Sequence, residues 1–382
     1  MKKKATCVLG LQFGDEGKGM IVNSLIEDPS ETIVVRFSGG QQAGHTVIHE
    51  GTKHVFSSFG SGALQGAPSY FTEHTCIYPN NLWRELQLLR GKGVNPTLYV
   101  HPKAALTTPS DVAFGRIMES TQKHGSCGLG IGATMARQQT PRKIYALDFF
   151  YPDILKQKLK GLQSYYSMHL PAKFPSSMDI HEYEEELQRE LKLFEALSKN
   201  PPFQLASYDE IRYKYFNHAI FEGSQGILLD MDHGVAFPNV TYANTTSKNA
   251  LEVCPKIGFR MDEILYATRC YQTRHGNGWM SDESPISLIN NTGETNVHND
   301  WQKSFRTGEL DYQLLNYALE VDNLYSQNVH FKAMVVTCND QRPDFTFDES
   351  QIKPGLVRSL YYTNSANTNK LLQWLETEEK KE

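Results

Sequence analysis

The chain has 382 residues, a formal net charge of −5 at pH 7 and an apolar fraction of 40%. An acidic balance without a basic stripe argues against a nucleic-acid-binding protein, and no apolar segment is long enough to span a membrane. The six cysteines form no Cys-x-x-Cys pair, so we expect neither a zinc ribbon nor a disulfide framework, and a reducing cytoplasm fits this usage.

The first predicted strand leads directly into a glycine-rich turn. Residues 5–11 are apolar, and helical spacing of apolar residues begins at Met20, so the turn joins a strand to a helix. Such a turn can bind phosphate, because glycines admit the anion to backbone N–H groups and the helix presents its positive end. The turn is not a Walker A motif, since Gln12 and Gly19 occupy positions where that motif has glycine and Ser or Thr. A glycine-rich structural turn is the alternative.

Asp15 places a carboxylate inside this predicted phosphate loop. A carboxylate there would repel the ligand unless it held a metal ion or accepted a proton. Lys18 lies in the same turn, where an ammonium group can reach the outer phosphates. The turn therefore predicts chemistry on a phosphorylated ligand.

Further strands and helices alternate along the chain. Strands are predicted at residues 32–37, 97–100, 219–221, 264–268 and 330–337, and helices at residues 82–89, 180–199 and 312–324. This alternation predicts an α/β fold with a large, mostly parallel central sheet flanked by helices, and a P-loop-like strand–loop–helix at the N-terminus. We expect a single domain over residues 1–382 with a helical insertion around residues 150–215. The amphipathic helix at 180–199 is interpreted as core packing, with partner binding as the alternative.

Several separated segments resemble the signature motifs of the adenylosuccinate synthetase family, in the same order and spacing. They are LGLQFGDEGKGM at residues 9–20, RFSGGQQAGHT at 36–46, GSCGLGIG at 125–132, FEGSQGILLDMDHG at 221–234, TYANTT at 241–246, TRCYQTRHGNG at 268–278, KSFRTG at 303–308 and TCND at 337–340. The resemblance implies a ligase that phosphorylates O6 of a purine nucleotide and then joins L-aspartate to C6.

The resemblance also implies individual roles. Asp15 matches the family's base at purine N1 and its Mg²⁺ ligand, and Lys18 matches its phosphate lysine. His45 matches the acid at O6 or at the transferring phosphoryl group, and it follows a glycine-rich segment with no apolar face to bury it. Gln225 completes the expected catalytic set, and the Gly44 carbonyl is expected to bind the metal.

The expected ligands are Mg²⁺, a nucleoside triphosphate (ATP, dATP or GTP), a purine nucleoside monophosphate and L-aspartate. The residues expected to contact the triphosphate and its metal are Gly14, Glu16, Gly17, Lys18, Gly19, Gly44, His45, Thr46, Thr337, Asn339 and Asp340. The residues expected to contact the monophosphate or aspartate are Gln42, Ser126, Cys127, Arg142, Gln225, Thr241, Thr273, Arg274, Lys303 and Arg306. Arg142 is the candidate for the arginine that the family supplies from the second subunit of a homodimer.

The chain departs from the family pattern mainly in ligand-facing motifs. The departures are Gln42 for asparagine, Cys127 for threonine, Leu129 and Lys303 for arginine, and Cys338 for lysine. This distribution favours the phage branch of the family, which uses dGMP to make a precursor of 2-aminoadenine DNA and would act in the host cytoplasm. An ordinary IMP-using and GTP-using enzyme is the alternative, which the retained Asp15 supports. A nucleotide-binding switch without ligase activity is the alternative from another class.

Overall fold

A parallel sheet forms the centre of the computed structural model, which describes residues 3–122, 128–170, 180–289 and 305–363. The strands in these ranges are β1 (Lys4–Gly10), β2 (Thr32–Arg36), β3 (His45–His49), β4 (Thr52–Phe56), β5 (Ser69–Phe71), β6 (Cys76–Ile77), β7 (Leu98–Val100), β8 (Ala105–Leu106), β9 (Gln204–Leu205), β10 (His218–Gly226), β11 (Arg260–Arg269), β12 (Gln272–His275), β13 (Phe305–Gly308), β14 (Phe331–Thr337) and β15 (Ser359–Tyr362). The α-helices are α1 (Lys18–Ser24), α2 (Pro79–Gly91), α3 (Pro109–Gln122), α4 (Ile131–Gln138), α5 (Pro152–His169), α6 (Ile180–Ser198), α7 (Tyr208–Arg212), α8 (Lys248–Lys256) and α9 (Tyr312–Ser326).

The large sheet has nine strands in the order β15-β14-β11-β1-β10-β2-β5-β7-β9. Every neighbouring pair in this sheet is parallel. Two antiparallel hairpins, β3–β4 and β12–β13, stand outside it. The predicted α/β class with a large, mostly parallel sheet and flanking helices is confirmed, whereas the sequence analysis did not anticipate the hairpins.

The sheet buries apolar side chains on both faces, as a parallel sheet with helices on each side requires. In β1, Cys7 and Leu9 pack into the core formed with α8 and α9, whereas Val8 packs with Met20 and Ile21 of α1 on the opposite face. Successive residues of a strand point to opposite faces. This packing explains why residues 5–11 read as a continuous apolar run and not as an alternating one.

The helix predicted at residues 180–199 is α6, which begins at Ile180 and ends at Ser198. Its Phe194 and Leu197 share a core cluster with Leu82 and Leu86 of α2, so this helix covers the chain's own core. The helices α5 and α6 lie within the predicted insertion. The single-domain boundary at 1–382 stays a prediction. Across the described ranges, no helix has the length and apolar character needed to cross a membrane.

The four central strands place the predicted motifs at one edge of the sheet. The carboxyl ends of β1, β10, β11 and β14 are adjacent because these strands are neighbours and parallel. In open parallel sheets, ligands bind beyond the carboxyl ends of the strands. The phosphate loop after β1, the end of β10 and the segment after β14 therefore face the same region.

Candidate functional site

The predicted phosphate loop joins β1 to α1 through left-handed backbone conformations. The φ angles are 100° at Gly14, 63° at Asp15 and 82° at Gly17. Glycine adopts this region without steric cost, and aspartate is among the few other residues that tolerate it. The glycine spacing is therefore required by the loop's backbone.

The Glu16 side chain turns into this loop and is 1% exposed. Its Oε1 accepts hydrogen bonds from the backbone N–H groups of Gln12 and Gly14, each at 3.0 Å. Its Oε2 accepts a hydrogen bond from Nζ of Lys18 at 2.6 Å, and the Lys18 side chain is also buried. Glu16 thus anchors the loop through its own carboxylate, and Lys18 reaches the loop already paired. Their predicted contacts with the triphosphate stay predictions.

The Asp15 carboxylate remains partly exposed, with 27% of the side chain accessible. Its Oδ2 lies 3.3 Å from Nε2 of His275, and its backbone carbonyl accepts a hydrogen bond from Nε of Arg269 at 2.5 Å. These partners belong to β11 and to the hairpin β12–β13. The candidate base is therefore held from the opposite side of the loop by residues to which the sequence analysis gave no contact with it.

His45 is buried, with 6% of its surface exposed, although its own glycine-rich segment offers no apolar face. Its Nδ1 hydrogen-bonds Oε1 of Glu222, a fully buried carboxylate on β10. Glu222 also accepts a hydrogen bond from the backbone N–H of Ser61 at 3.1 Å and one from the Ser61 hydroxyl. A polar dyad, and not an apolar face, holds the imidazole.

Burial lowers the pKa of His45, and the neighbouring Glu222 offsets part of this shift, while the charges of Arg36 and Lys18 add to it. Burial alone would raise the pKa of Glu222, but His45, Arg36 and Ser61 outweigh it and lower that pKa to about 2. Glu222 is therefore ionised and fixes Nδ1 of His45 as the nitrogen that faces it. Within the described part of the chain, the other nitrogen, Nε2, is buried without a hydrogen-bond partner. It is the atom available to a ligand.

The start of α1 lies directly against His45. A Cβ atom added to Gly19 would stand 2.7 Å from Cβ of His45 and 2.8 Å from Oγ of Ser61, which is closer than real side chains approach. Only glycine permits this contact. It brings the imidazole, β3 and the phosphate loop together.

Buried amide groups beside the dyad also lack partners within the described chain. They are Oε1 and Nε2 of Gln42 and Oε1 of Gln225. Gly39 has a φ of 64°, and an added Cβ there would lie 3.0 Å from Nε2 of Gln42 and 2.6 Å from Oγ of Ser224, so this loop packs tightly on the end of β10. Buried polar groups in folded proteins almost always have hydrogen-bond partners. The predicted substrate residues Gln42 and Gln225 therefore suit a polar ligand.

Arg274 and Arg306 are cross-strand neighbours in the β12–β13 hairpin. The Arg274 guanidinium is 3% exposed, lies 4.5 Å from the Phe13 ring centroid and donates to the carbonyls of Trp279 and Asn239 at 2.9 and 2.7 Å. Burial lowers the pKa of Arg274 to about 10, and the neighbouring Arg306 adds to this shift. Two adjacent cations favour an anion between them, although most Arg274 donors already hold the backbone.

Arg306 is similarly engaged. Its Nη2 donates to the carbonyls of Gly276 and Gly278 at 2.9 and 2.8 Å, and its Nη1 contacts Glu283. Three buried atoms have no hydrogen-bond partner among the described residues: Nε of Arg306, Nε of Arg274 and Oγ1 of the adjacent Thr273. The structure thus brings the predicted aspartate-binding arginines together, and it also gives them a structural role. Lys303 lies outside the described residues.

The segment after β14 meets the phosphate loop through Thr337, whose hydroxyl donates to the Glu16 carbonyl at 3.1 Å. The Asn339 amide donates to the carbonyls of Val336 and Thr363 at 3.0 and 3.2 Å, so it stabilises this turn. Asp340 is exposed. Of these predicted triphosphate contacts, Asp340 is exposed to solvent, whereas the Asn339 amide is hydrogen-bonded to the chain's own backbone.

The remaining predicted residues are more dispersed. Arg142 is exposed and stacks over the Tyr165 ring at 4.4 Å. The backbone N–H of Thr241 donates to the Leu229 carbonyl at 2.8 Å, and Thr46 lies on β3 beside His45. Ser126 and Cys127 lie outside the described residues.

The two expected Mg²⁺ ligands, the Asp15 carboxylate and the Gly44 carbonyl, are both oxygen donors. The Asp15 carboxylate is partly accessible and Gly44 is exposed, and carboxylate and carbonyl oxygens are the ligands that Mg²⁺ prefers. Within the described residues, one cluster brings together three side chains that could bind a metal, and Asp15 is not among them. Its members are Glu73, His74 and Glu252. With only Asp15 and Gly44 as its protein ligands, Mg²⁺ would take its other ligands from water and phosphate.

Comparisons with known proteins agree with this geometry. A family model described as adenylosuccinate synthetase matches residues 7–337. The adenylosuccinate synthetase of Coxiella burnetii is 33% identical over 301 residues, covering 75% of this chain, and the match spans 65% of that relative's length. The enzyme of the same name from Dichelobacter nodosus is 32% identical over 329 residues, covering 83% of this chain and 74% of its own.

Two solved structures share the fold. The fully ligated adenylosuccinate synthetase of Plasmodium falciparum aligns with a TM-score of 0.67 and 21% identity, covering 88% of this chain and 77% of its own. The succinoaminodeoxyadenylate synthetase of cyanophage S-2L, bound to dGMP and to dATP as an energy donor, aligns with a TM-score of 0.60 and 14% identity over 99% of each chain. At these identities the likeness concerns the fold.

Proposed function

The chain belongs to the adenylosuccinate synthetase family, and on that premise we propose that it joins L-aspartate to C6 of a 6-oxopurine nucleotide at the expense of a nucleoside triphosphate. The observation that carries this proposal is the His45–Glu222 dyad beside the phosphate loop. The dyad leaves Nε2 of His45 buried and unpartnered, and the Lys18 charge is close enough to lower the imidazole's pKa. A phosphorylated anion is the ligand for which this arrangement is suited.

The first step is transfer of the γ-phosphoryl group to O6. Asp15 removes the N1 proton, electron density moves to O6, and O6 attacks the γ-phosphorus as the bond to the β-phosphate oxygen breaks. An anion arriving at Nε2 of His45 favours the imidazolium, because an opposite charge raises a histidine's pKa. His45 can then donate a hydrogen bond to the group that gains charge. Mg²⁺ bound by Asp15 and Gly44 would neutralise charge on the triphosphate.

The second step is displacement of phosphate by aspartate. The aspartate amine attacks C6, the C6–O6 bond breaks, and inorganic phosphate leaves with O6. The unpartnered Nε atoms of Arg274 and Arg306 and the Thr273 hydroxyl support binding of the aspartate carboxylates at the hairpin. The Nη atoms of the two arginines donate to backbone carbonyls, and they would have to release those carbonyls before they could bind the substrate.

We favour dGMP as the purine substrate and ATP or dATP as the donor. The departures at Gln42, Cys127 and Leu129 concern ligand-facing motifs while Asp15 and His45 are kept. A neighbour in fold, the cyanophage enzyme, binds dGMP and dATP. The alternative substrate pair is IMP with GTP, which the retained Asp15 and the names of the curated relatives support.

The test is phosphate release from a panel of IMP, GMP and dGMP, each with ATP, dATP or GTP, with and without L-aspartate. We expect release to require aspartate and a purine monophosphate together, with mass spectrometry identifying the succino-product. The kcat/KM ratio of dGMP to IMP is expected to exceed about ten-fold, because a buried acceptor left unpaired costs about 1–3 kcal/mol. A preference for IMP would contradict the choice of dGMP and would indicate an enzyme of ordinary adenine nucleotide synthesis. Hydrolysis that needs neither co-substrate would indicate a nucleotide-binding switch.

A further inference from the structure

Three side chains, from the end of β11 and from β12, contact the phosphate loop. Arg269, just before the hairpin, holds the Asp15 carbonyl, and Arg274 stacks on the Phe13 ring at 4.5 Å. His275 brings Nε2 to 3.3 Å from Oδ2 of Asp15. A histidine about 260 positions along the chain from Asp15 therefore lies within reach of its carboxylate.

We propose that His275 is a positioning residue for Asp15, a role that rests on the proposed function. An imidazole N–H directed at Oδ2 would hold one carboxylate oxygen and leave the other, Oδ1, to accept the N1 proton. Catalytic hydrogen bonds in ligand-free structures are often longer than in the reacting complex. A distance of 3.3 Å is consistent with a contact that tightens when the purine arrives.

The imidazole is well placed to act as such a support. Its side chain is 14% exposed, and its ring lies 5.0 Å from the ring of Phe305, its cross-strand partner. Asp15 itself has a left-handed backbone, with a φ of 63°. His275 also occupies a variable position of the motif Thr-Arg-x-Gly-x-Gly, so the family resemblance gives it no role.

The experiment compares His275→Phe and His275→Gln with wild type. Phenylalanine keeps a ring against Phe305 and removes the N–H donor, whereas the glutamine amide can place a donor near the position of Nε2. We expect His275→Phe to lower kcat about 10-fold to 100-fold, because small misplacements of catalytic groups have effects of this size. KM for the triphosphate should change little, and His275→Gln should recover most of the lost rate. His330→Phe, at an exposed histidine just before β14, is the matched control.

Positional isotope exchange separates this role from simple packing. With the triphosphate and purine monophosphate present but aspartate absent, exchange of ¹⁸O between bridging and non-bridging β-phosphate positions reports reversible transfer to O6. The proposal requires slower exchange in His275→Phe and recovery in His275→Gln, with thermal unfolding midpoints close to wild type. Wild-type exchange in His275→Phe, or equal losses in both variants, would overturn it. A wild-type protein with no aspartate-dependent turnover would instead refute the proposed function.

Discussion

At the scale of single residues, the site depends on partners that lie far apart in sequence. His45 and Asp15 could be assigned from motif positions, but the partners that orient them could not. Glu222 lies 177 positions from His45, and the sequence analysis gave it no role. The sequence indicated only that the glycine-rich segment before His45 has no apolar face, and it gave no sign of the burial that the structure shows. The burial comes from a carboxylate, a serine and the absence of a Cβ at Gly19.

The first prediction concerns the two candidate catalytic residues. Asp15→Asn and His45→Ala are expected to lower kcat about 10²-fold to 10⁴-fold, the usual contribution of a general acid or base. Steady-state phosphate release with the best substrate pair measures the effect. Asp209→Asn and His330→Ala make the same changes at exposed positions and should retain activity. Near-normal turnover in either site variant, with an unchanged circular dichroism spectrum, would remove that residue from the mechanism.

At the scale of elements, the sequence predicted several of the long strands and helices, although it missed α3 and most of β10. β1, β2, β11, β14 and α9 lie close to their predicted positions because continuous apolar runs and helical periodicity are local signals. The short strands β5 and β9 and the two hairpins were missed. Their positions depend on pairing with distant segments, and a strand of two or three residues carries almost no pattern of its own. The hairpins carry His45, Arg274 and Arg306, so their absence from the prediction left the site's geometry open.

A second prediction concerns the start of β10. Burial lowers the pKa of His218 to about 4, and the Lys4 charge contributes to this shift. Between this value and the unfolded value near 6.5, the unfolded chain binds the extra proton, so stability falls as the pH falls. From pH 7 to pH 5 the expected loss from this group is about 2 kcal/mol in the free energy of unfolding.

Urea unfolding of wild type and His218→Gln at the two pH values measures this loss. Glutamine keeps a hydrogen-bonding group near Oγ1 of Thr6, which lies 3.1 Å from Nε2 of His218, but it does not titrate. The variant should lose about 2 kcal/mol less than wild type on acidification. Parallel losses in the two proteins would show that His218 is not held neutral in the folded state.

At the scale of the whole molecule, the parallel sheet gathers chemistry from opposite ends of the chain. β1 lies between β10 and β11, so the loop after residue 10 meets residues near 226 and 269 at one edge. This order follows from the topology of the crossovers, which local sequence patterns do not encode. The family motifs indicated that the segments belong together, but only the strand order explains how. Arg142 is exposed, as Asp340 is, and it stacks on the Tyr165 ring.

The last prediction concerns assembly. Arg142 is exposed and follows the GSCGLGIG segment at residues 125–132, so it is suited to completing the site of a neighbouring subunit. We propose a homodimer in which Arg142 acts across the interface. Arg142→Ala and Asp15→Asn should each be inactive alone. In a heterodimer, the site with an intact Asp15 receives Arg142 from the other subunit and recovers activity. Random two-fold pairing then predicts about a quarter of wild-type turnover in an equimolar mixture.

The mixture is prepared by unfolding and refolding the two variants together, and dimer formation is checked by light scattering. Lys143→Ala, at the adjacent exposed position, is the control, and it should be active as a homodimer without being mixed with a second variant. If Arg142 acted within its own subunit, each site of the heterodimer would contain one defect, and no activity would return. Complementation therefore distinguishes a shared site from a self-contained one. In the shared arrangement, one site of the heterodimer carries both substitutions and the other is intact, whereas in the self-contained arrangement each site carries one substitution.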